Sequence, residues 1–262
     1  MKRKAVLADP AQFPDVLKQL ISSHQLYDSS CSQEARVWFL EGKENLFLKA
    51  APAGALKTEA HMTRYFHQKG LGPEVLDYFS ADGDWLLTAA LPGEDCTDPR
   101  YLDDPKQLSE TTALLLRQLH ELSCESCPIP NHSAEYLTRV HSRHQTGFCD
   151  LSLFPEQNWG FASADEAWEI VESYGKYLKQ DTLLHGDYCL PNTILNNWSF
   201  SGFIDVGRGG KGDRHVDIFW GVWTLFFNLK TSAFCNRFLD AYGRDRIEPE
   251  MLRLIAACEV FL

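Results

Sequence analysis

The chain has 262 residues, and its 25 Lys and Arg against 36 Asp and Glu leave a formal net charge of −11 at pH 7. With 44% hydrophobic and 23% charged residues, the composition excludes a disordered chain, a collagen-like fibre and a coiled coil. The negative charge repels nucleic acid and anionic membrane surfaces and attracts polycations.

Lys2, Arg3 and Lys4 have the charge of a signal-peptide start, but Asp9, Pro10, Pro14 and Asp15 deny it an apolar core. The most apolar run, residues 218–229, is too short to cross a bilayer and reads as a buried helix. Eight cysteines without a secretory signal point to reduced thiols in the cytoplasm. Cys124 and Cys127 form one C-x-x-C between His120 and His132. Zinc is one reading of it; ordinary thiols at a helix-to-loop junction is the favoured one, because no second pair occurs and His120 falls on a helical apolar stripe.

In chain order, apolar runs at 37–40 and 46–50 flank Glu41-Gly42-Lys43-Glu44-Asn45, a hairpin signal, and runs at 75–80 and 85–89 flank Asp82-Gly83-Asp84. Between the pairs, residues 56–69 have helical spacing, and Gly70 stands at the C-cap position. The first third is therefore a small antiparallel sheet with one helix. Leu91-Pro92-Gly93 breaks this pattern. Residues 105–122 carry Leu108, Thr112, Leu115, Leu116 and Leu119 at helical intervals and predict a central buried helix. Residues 164–178 are amphipathic through Trp168, Val171, Tyr174 and Leu178, and after a strand-like centre two more helices are predicted at 234–242 and 249–261. Trp220, Trp223, Phe226 and Phe227 recur at helical spacing and read as core. The expected fold is α+β with two lobes, 1–90 and 91–262, joined by a short hinge.

The chemistry concentrates in Leu184-His185-Gly186-Asp187-Tyr188-Cys189-Leu190-Pro191-Asn192 and in Phe203-Ile204-Asp205. Apolar residues before each polar cluster anchor a loop to a core while its polar residues face a cleft. Asp187 and Asn192 have the spacing of a kinase catalytic loop, and Asp205 is placed to be a second acidic metal ligand. Phosphoryl transfer needs these types: a carboxylate to orient a hydroxyl and accept its proton, and hard oxygen ligands to hold magnesium against a triphosphate. Lys49, at the end of an apolar strand, is the candidate for meeting the phosphates, with Glu59 early in the next helix to hold its ammonium; taken alone, the two could be an ordinary surface ion pair. His-Gly-Asp also occurs in metallophosphatases, but the further His and Asn clusters that two-metal sites need are not evident.

The paired motifs, with Gly202-Phe203-Ile204-Asp205-Val206-Gly207-Arg208 as the second, resemble the signature of the aminoglycoside phosphotransferases, most closely the 3'-phosphotransferases. The similarity extends to Phe47-Leu48-Lys49, Trp85-Leu86-Leu87 and Cys258-Glu259-Val260-Phe261. It implies a protein-kinase-like fold, a nucleotide-binding N-terminal lobe, and a C-terminal lobe for catalysis and substrate binding. It further implies Asp187 as the catalytic aspartate, Asn192 and Asp205 as magnesium ligands, Lys49 on the α and β phosphates, and Glu59 paired with Lys49. Adenine would bond to the hinge backbone near Ala89 and Leu91. Ser29, Ser30 and Ser32 fall where a phosphate-covering loop should lie, without the glycines of the protein-kinase loop. Arg208 would border the sugar site or brace the loop, and His185 would be structural.

The acceptor is argued from charge. No Lys or Arg occurs from His144 to Gly175, whereas Asp150, Glu156, Asp165, Glu166, Glu169 and Glu172 do. A carboxylate-lined pocket attracts the ammonium groups of an aminoglycoside. Asp150 and Glu156 are the substrate candidates there, with Glu259 near the C-terminus; Glu169 and Glu172 read as a solvated helix face. Two features depart from the family: Trp223 and Asn228 stand where related enzymes commonly carry charged substrate contacts, and the acidic loop is less dense. The expectation is a magnesium-dependent transfer of phosphate from ATP or GTP to an aminoglycoside hydroxyl, the 3'-hydroxyl, conferring antibiotic resistance, by a monomer or weak dimer. A kinase of another small hydroxylated metabolite is the alternative. A pseudokinase is the non-enzymatic reading, against which the complete Lys, Asp, Asn and Asp set argues.

Overall fold

The computed structural model describes residues 3–7, 9–31, 34–152 and 159–262. They fall into two compact units, Met1–Asp98 with Pro191–Gly207, and Pro99–Leu190 with Arg208–Leu262.

The first unit is built on a six-stranded sheet of order β1-β2-β3-β4-β6-β5. Its strands are β1 (Lys4–Ala5), β2 (Gln25–Asp28), β3 (Arg36–Glu41), β4 (Leu46–Ala51), β5 (Val75–Ser80) and β6 (Asp84–Ala89), all antiparallel to their neighbours. Alternation of side chains across the pleat sorts the two faces. Trp38 and Leu40 of β3 and Leu46 and Leu48 of β4 bury against Phe13, Leu17 and Ile21 of the segment containing helix α1 (Asp15–Ser22). Leu86 of β6 buries on the opposite face, against Leu56 and Ala60 of helix α2 (Lys57–Gln68). Lys49 pairs in register with Leu86 and so shares the α2 face. Helix α2 ends where expected, with Gly70 at φ 70° and the amide of Leu71 donating to the carbonyl of Phe66.

Both expected hairpins and α2 lie within a residue or two of their predicted limits. Helix α1 does not appear among the predicted elements, because eight residues between prolines and a polar turn give too short a periodic pattern. The first unit also exceeds the expected 1–90 segment. Strand β7 (Glu94–Asp95) pairs with β9 (Thr193–Asn196), which pairs with β10 (Ser199–Phe203). This long-range ladder ties residues beyond 190 to the N-terminal unit, which a reading along the chain does not reveal.

The second unit is mainly helical: α3 (Pro99–Leu102), α4 (Pro105–His120), α5 (His132–Gln145), α6 (Ala164–Tyr174), α7 (His215–Leu229), α8 (Cys235–Tyr242) and α9 (Pro249–Glu259), with β8 (Thr182–Leu184) paired to β11 (Gly210–Gly212). Asp104 caps α4 by accepting from the amide of Gln107 at 3.0 Å, and Pro105 occupies the first turn, where its missing N–H costs nothing. Leu108, Thr112, Leu116 and Leu119 are buried, making α4 the expected central helix. Helix α5 is absent from the predicted elements because Arg139, His141, Arg143 and His144 interrupt its apolar period, leaving Tyr136 and Val140 as its buried anchors. No helix of the described residues is long and apolar enough to cross a membrane.

Candidate active site

In the first unit the chemistry centres on Lys49. Its Nζ donates to both oxygens of Glu59, at 2.9 and 2.8 Å, and to Oδ1 of Asp205 at 2.9 Å. Glu59 stands in the first turn of α2, where a carboxylate also favours the helix dipole. Burial of the Lys49 side chain works against its charge, but the carboxylates of Asp205 and Glu59 outweigh it and raise the ammonium's pKa. Burial pushes Glu59 upward in turn, against the pull of Lys49.

The β9–β10 ladder brings Asn192 beside Asp205. Phe203 pairs with Thr193, and the amide of Ile204 donates to the carbonyl of Asn192 at 3.0 Å. Asp205 has φ 56°, a left-handed backbone that Asp tolerates better than most residues. An amide oxygen and a carboxylate are hard donors of the kind magnesium takes. Among the described residues there is no group of three or more His, Cys, Asp and Glu able to hold a metal. The thiols of Cys124 and Cys127 instead donate to the carbonyls of Asp181 and Ile129.

At the expected hinge, the amides of Ala89 and Ala90 donate to the carbonyls of Glu74 and Asn45, so neither amide is the one offered to a ligand; Leu91 is the next in the chain. Ser29 and Ser30 close the β2–β3 turn onto Val37. Ser32 and Glu156 lie outside the described residues.

In the second unit, the loop carrying Asp187 is held by its backbone. The amides of His185 and Gly186 each donate to the Asp217 carboxylate at 2.7 Å, and the amide of Leu190 donates to Oγ1 of Thr224 at 3.1 Å. The hydroxyl of Tyr188 donates to the carbonyl of Thr112 at 2.7 Å. Gly186 sits at φ 85°, and a Cβ there would lie 1.9 Å from the Arg208 carbonyl oxygen, so the turn before Asp187 requires glycine. His185 accepts from the amide of Asp187 at 3.3 Å.

Glu259, the last residue of α9, accepts from the Tyr136 hydroxyl at 2.8 Å. Burial pushes its carboxyl up to about 7, against the stabilising pull of Tyr136, Arg208, Arg139 and Trp220. The amide of Asp150 donates to the carbonyl of Val260 at 2.7 Å, which fastens the Asp150 segment to the Glu259 end of the chain. The Asp150 carboxylate turns back onto the amide of Ser152. Glu169 and Glu172 are exposed, and Glu166 accepts from the amide of Ala162 at the start of α6.

Asp217, Thr224 and Tyr136 are not among the candidates that the sequence motifs point to. Asp217 had one signal, a lone acid at the head of the most apolar run in the chain.

A family model described as the phosphotransferase enzyme family matches residues 30–254. A probable aminoglycoside 3'-phosphotransferase of Lactococcus lactis subsp. lactis is 44% identical over 251 residues, 95% of each chain. Among solved structures, an aminoglycoside 3'-phosphotransferase of type VIII superposes with TM-score 0.74 at 24% identity, covering 96% of each chain. An aminoglycoside phosphotransferase of Streptomyces rimosus, in complex with ADP and streptomycin, superposes with TM-score 0.72 at 22% identity, covering 96% of this chain and 99% of that one.

Proposed function

The chain belongs to the aminoglycoside phosphotransferase family, and from that premise we propose that it transfers the γ-phosphoryl group of ATP, or of GTP, to the 3'-hydroxyl of an aminoglycoside and thereby confers resistance to it. The observation that carries this reading is the Lys49 ammonium held by Glu59 and Asp205, with Asn192 bonded through its backbone to the residue before Asp205.

Each residue has a task in this reaction. Lys49 faces the α and β phosphates, and Glu59 keeps its ammonium oriented. The Leu91 amide and the Ala89 carbonyl receive the adenine, and Ser29, Ser30 and Ser32 cover the phosphates. Asp187 orients the acceptor hydroxyl and takes its proton as the new oxygen–phosphorus bond forms. The bond between the γ phosphorus and its bridging oxygen breaks, and its electron pair leaves on the nucleoside diphosphate. Asn192 and Asp205 would hold magnesium, which supplies charge neutralisation along the phosphates. Residues 1–90 carry the nucleotide-binding function and 91–262 the catalytic and acceptor-binding functions, with Asn192 and Asp205 as the chain's metal ligands.

The acceptor is a cation. Asp150, Glu156 and Glu259 attract its ammonium groups, and Arg208 borders the sugar site or braces the loop. The net charge of −11 favours approach of such a molecule. Eight cysteines in a chain of this length support a reducing, cytoplasmic setting.

The test is nucleoside diphosphate release with a panel of aminoglycosides that carry or lack a 3'-hydroxyl. Turnover is expected with the first group and not with the second. Equal turnover with both would move the reaction to another hydroxyl, and no turnover with any member would exclude the aminoglycoside class.

A further inference from the structure

Asp217 is completely buried and carries two backbone amides of the Asp187 loop, yet its third partner lies on a different helix. Oδ2 faces Nε2 of His120, the last residue of α4, at 3.1 Å, and the Nδ1 of His120 lies 2.8 Å from the hydroxyl of Tyr242, the last residue of α8. We infer that His120 is a positioning residue for phosphoryl transfer: its Nε2–H holds the Asp217 carboxylate in the place from which that carboxylate orients the backbone entering Asp187.

The hydrogen-bond chemistry has one consistent direction. Burial disfavours the Asp217 charge, but the bond from His120 and the amide of His185 hold the carboxyl below its ordinary range. An ionised carboxylate only accepts, so the ring nitrogen facing it carries the proton. Burial keeps His120 from taking a second proton, lowering its pKa against the pull of Asp217. Nδ1 is therefore an acceptor, and the Tyr242 hydroxyl donates to it. The chain of bonds runs from Tyr242 through His120 to Asp217, where the amides of His185 and Gly186 arrive from the other side.

Those two amides fix the peptide planes just before Asp187, in a turn that has no space for a side chain at Gly186. Without the His120 donor, a buried carboxylate with unmet acceptor capacity must move or take up a proton, and the two peptide planes follow it. Misplacement of a catalytic group by about 1 Å costs on the order of a hundredfold in rate. The inference rests on the proposed function only through the role given to Asp187.

The test uses the full chain. His120→Met fills the space and removes the donor, His120→Gln returns an N–H, and Tyr242→Phe removes only the hydroxyl. With an aminoglycoside that the wild type phosphorylates, His120→Met is expected to lower kcat by about tenfold or more, with KM for ATP within about twofold. His120→Gln should recover most of the loss. Native-state hydrogen exchange, read without any substrate, should be faster at the amides of His185 and Gly186 in His120→Met, and to a smaller degree in Tyr242→Phe, than in the wild type. Mid-helix amides of α4 should be unchanged. Should His120→Met not fold, Tyr242→Phe and the exchange measurement decide; should no aminoglycoside turn over, exchange alone decides. Unaltered exchange at both amides overturns the inference, as does a folded His120→Met variant with wild-type kcat, or a Gln variant as slow as the Met variant.

Discussion

The Nζ of Lys49 lies 2.9 Å from Oδ1 of Asp205, although 156 positions separate the two residues in the chain. One stands on the α2 face of an apolar strand and the other follows a short ladder formed far along the sequence. Their meeting turns two unremarkable charges into a site, because the same ammonium also holds Glu59 through both carboxylate oxygens.

Removing that ammonium leaves two carboxylates facing one another. In Lys49→Met, Glu59 loses its cation in a largely buried position, which costs about 3 kcal/mol, the lower end for breaking a buried pair. The expected outcome is a lower Tm by several degrees and a KM for ATP raised about tenfold or more. Thermal unfolding and initial-rate kinetics check both.

Asp187 is assigned to the acceptor and not to the nucleotide. Asp187→Asn should therefore lower kcat by about three orders of magnitude while calorimetric affinity for ADP stays within about twofold. Near-normal turnover in this variant would remove Asp187 from the role.

Asp205 combines a chemical and a conformational demand, since its backbone has φ 56°. Asp205→Asn keeps a residue suited to that conformation and removes the charge; Asp205→Ala adds about 1 kcal/mol of backbone strain. Both should lose activity by about a hundredfold or more and need higher magnesium for half-maximal rate. Only the Ala variant should also lose stability from backbone strain. Magnesium titrations and unfolding curves of the two variants separate these effects.

Glu259 makes the pH dependence specific. Its folded pKa, pushed up to about 7 by burial, exceeds that of an unfolded glutamate. Its contribution to stability is thus fully present below the unfolded value and is lost as pH rises through about 7. Binding an ammonium group requires the ionised form. The KM for a cationic acceptor should accordingly fall as pH rises through that range, with a proton released on binding. In Tyr136→Phe, loss of the hydroxyl that favours the carboxylate should move the midpoint upward, as kcat/KM profiles across pH 6–8.5 would register (a window of about one to two units around the value).

The legible parts of the molecule are those whose cause is local. Leu46, Leu48 and Ala50 alternate with Lys49, so the strand announces both its buried face and the lysine that must lie on the other. Glu59 follows from the helical spacing that ends at Gly70, and the Asp187–Asn192 spacing is written within a single loop. Long-range causes are not visible in this way. Residues 191–207 join the N-terminal unit through the pairing of β7 with β9, and Asp217 meets His120 across 97 positions. Helix α5 escapes because its buried positions are few and partly polar, with His132 and Ser133 among them. Glu259 was legible as a candidate, but its burial against Tyr136 depends on the packing of α9 against α5.

In the proposed reaction, phosphate reaches an aminoglycoside by way of Asp187. Mass spectrometry of kanamycin incubated with the enzyme, ATP and magnesium, run in parallel with Asp187→Asn, tests it most directly. The expected outcome is the mass of one added phosphate with the wild type and unmodified drug with the variant over the same interval. Unmodified kanamycin in both reactions, or equal phosphorylation in both, would contradict it.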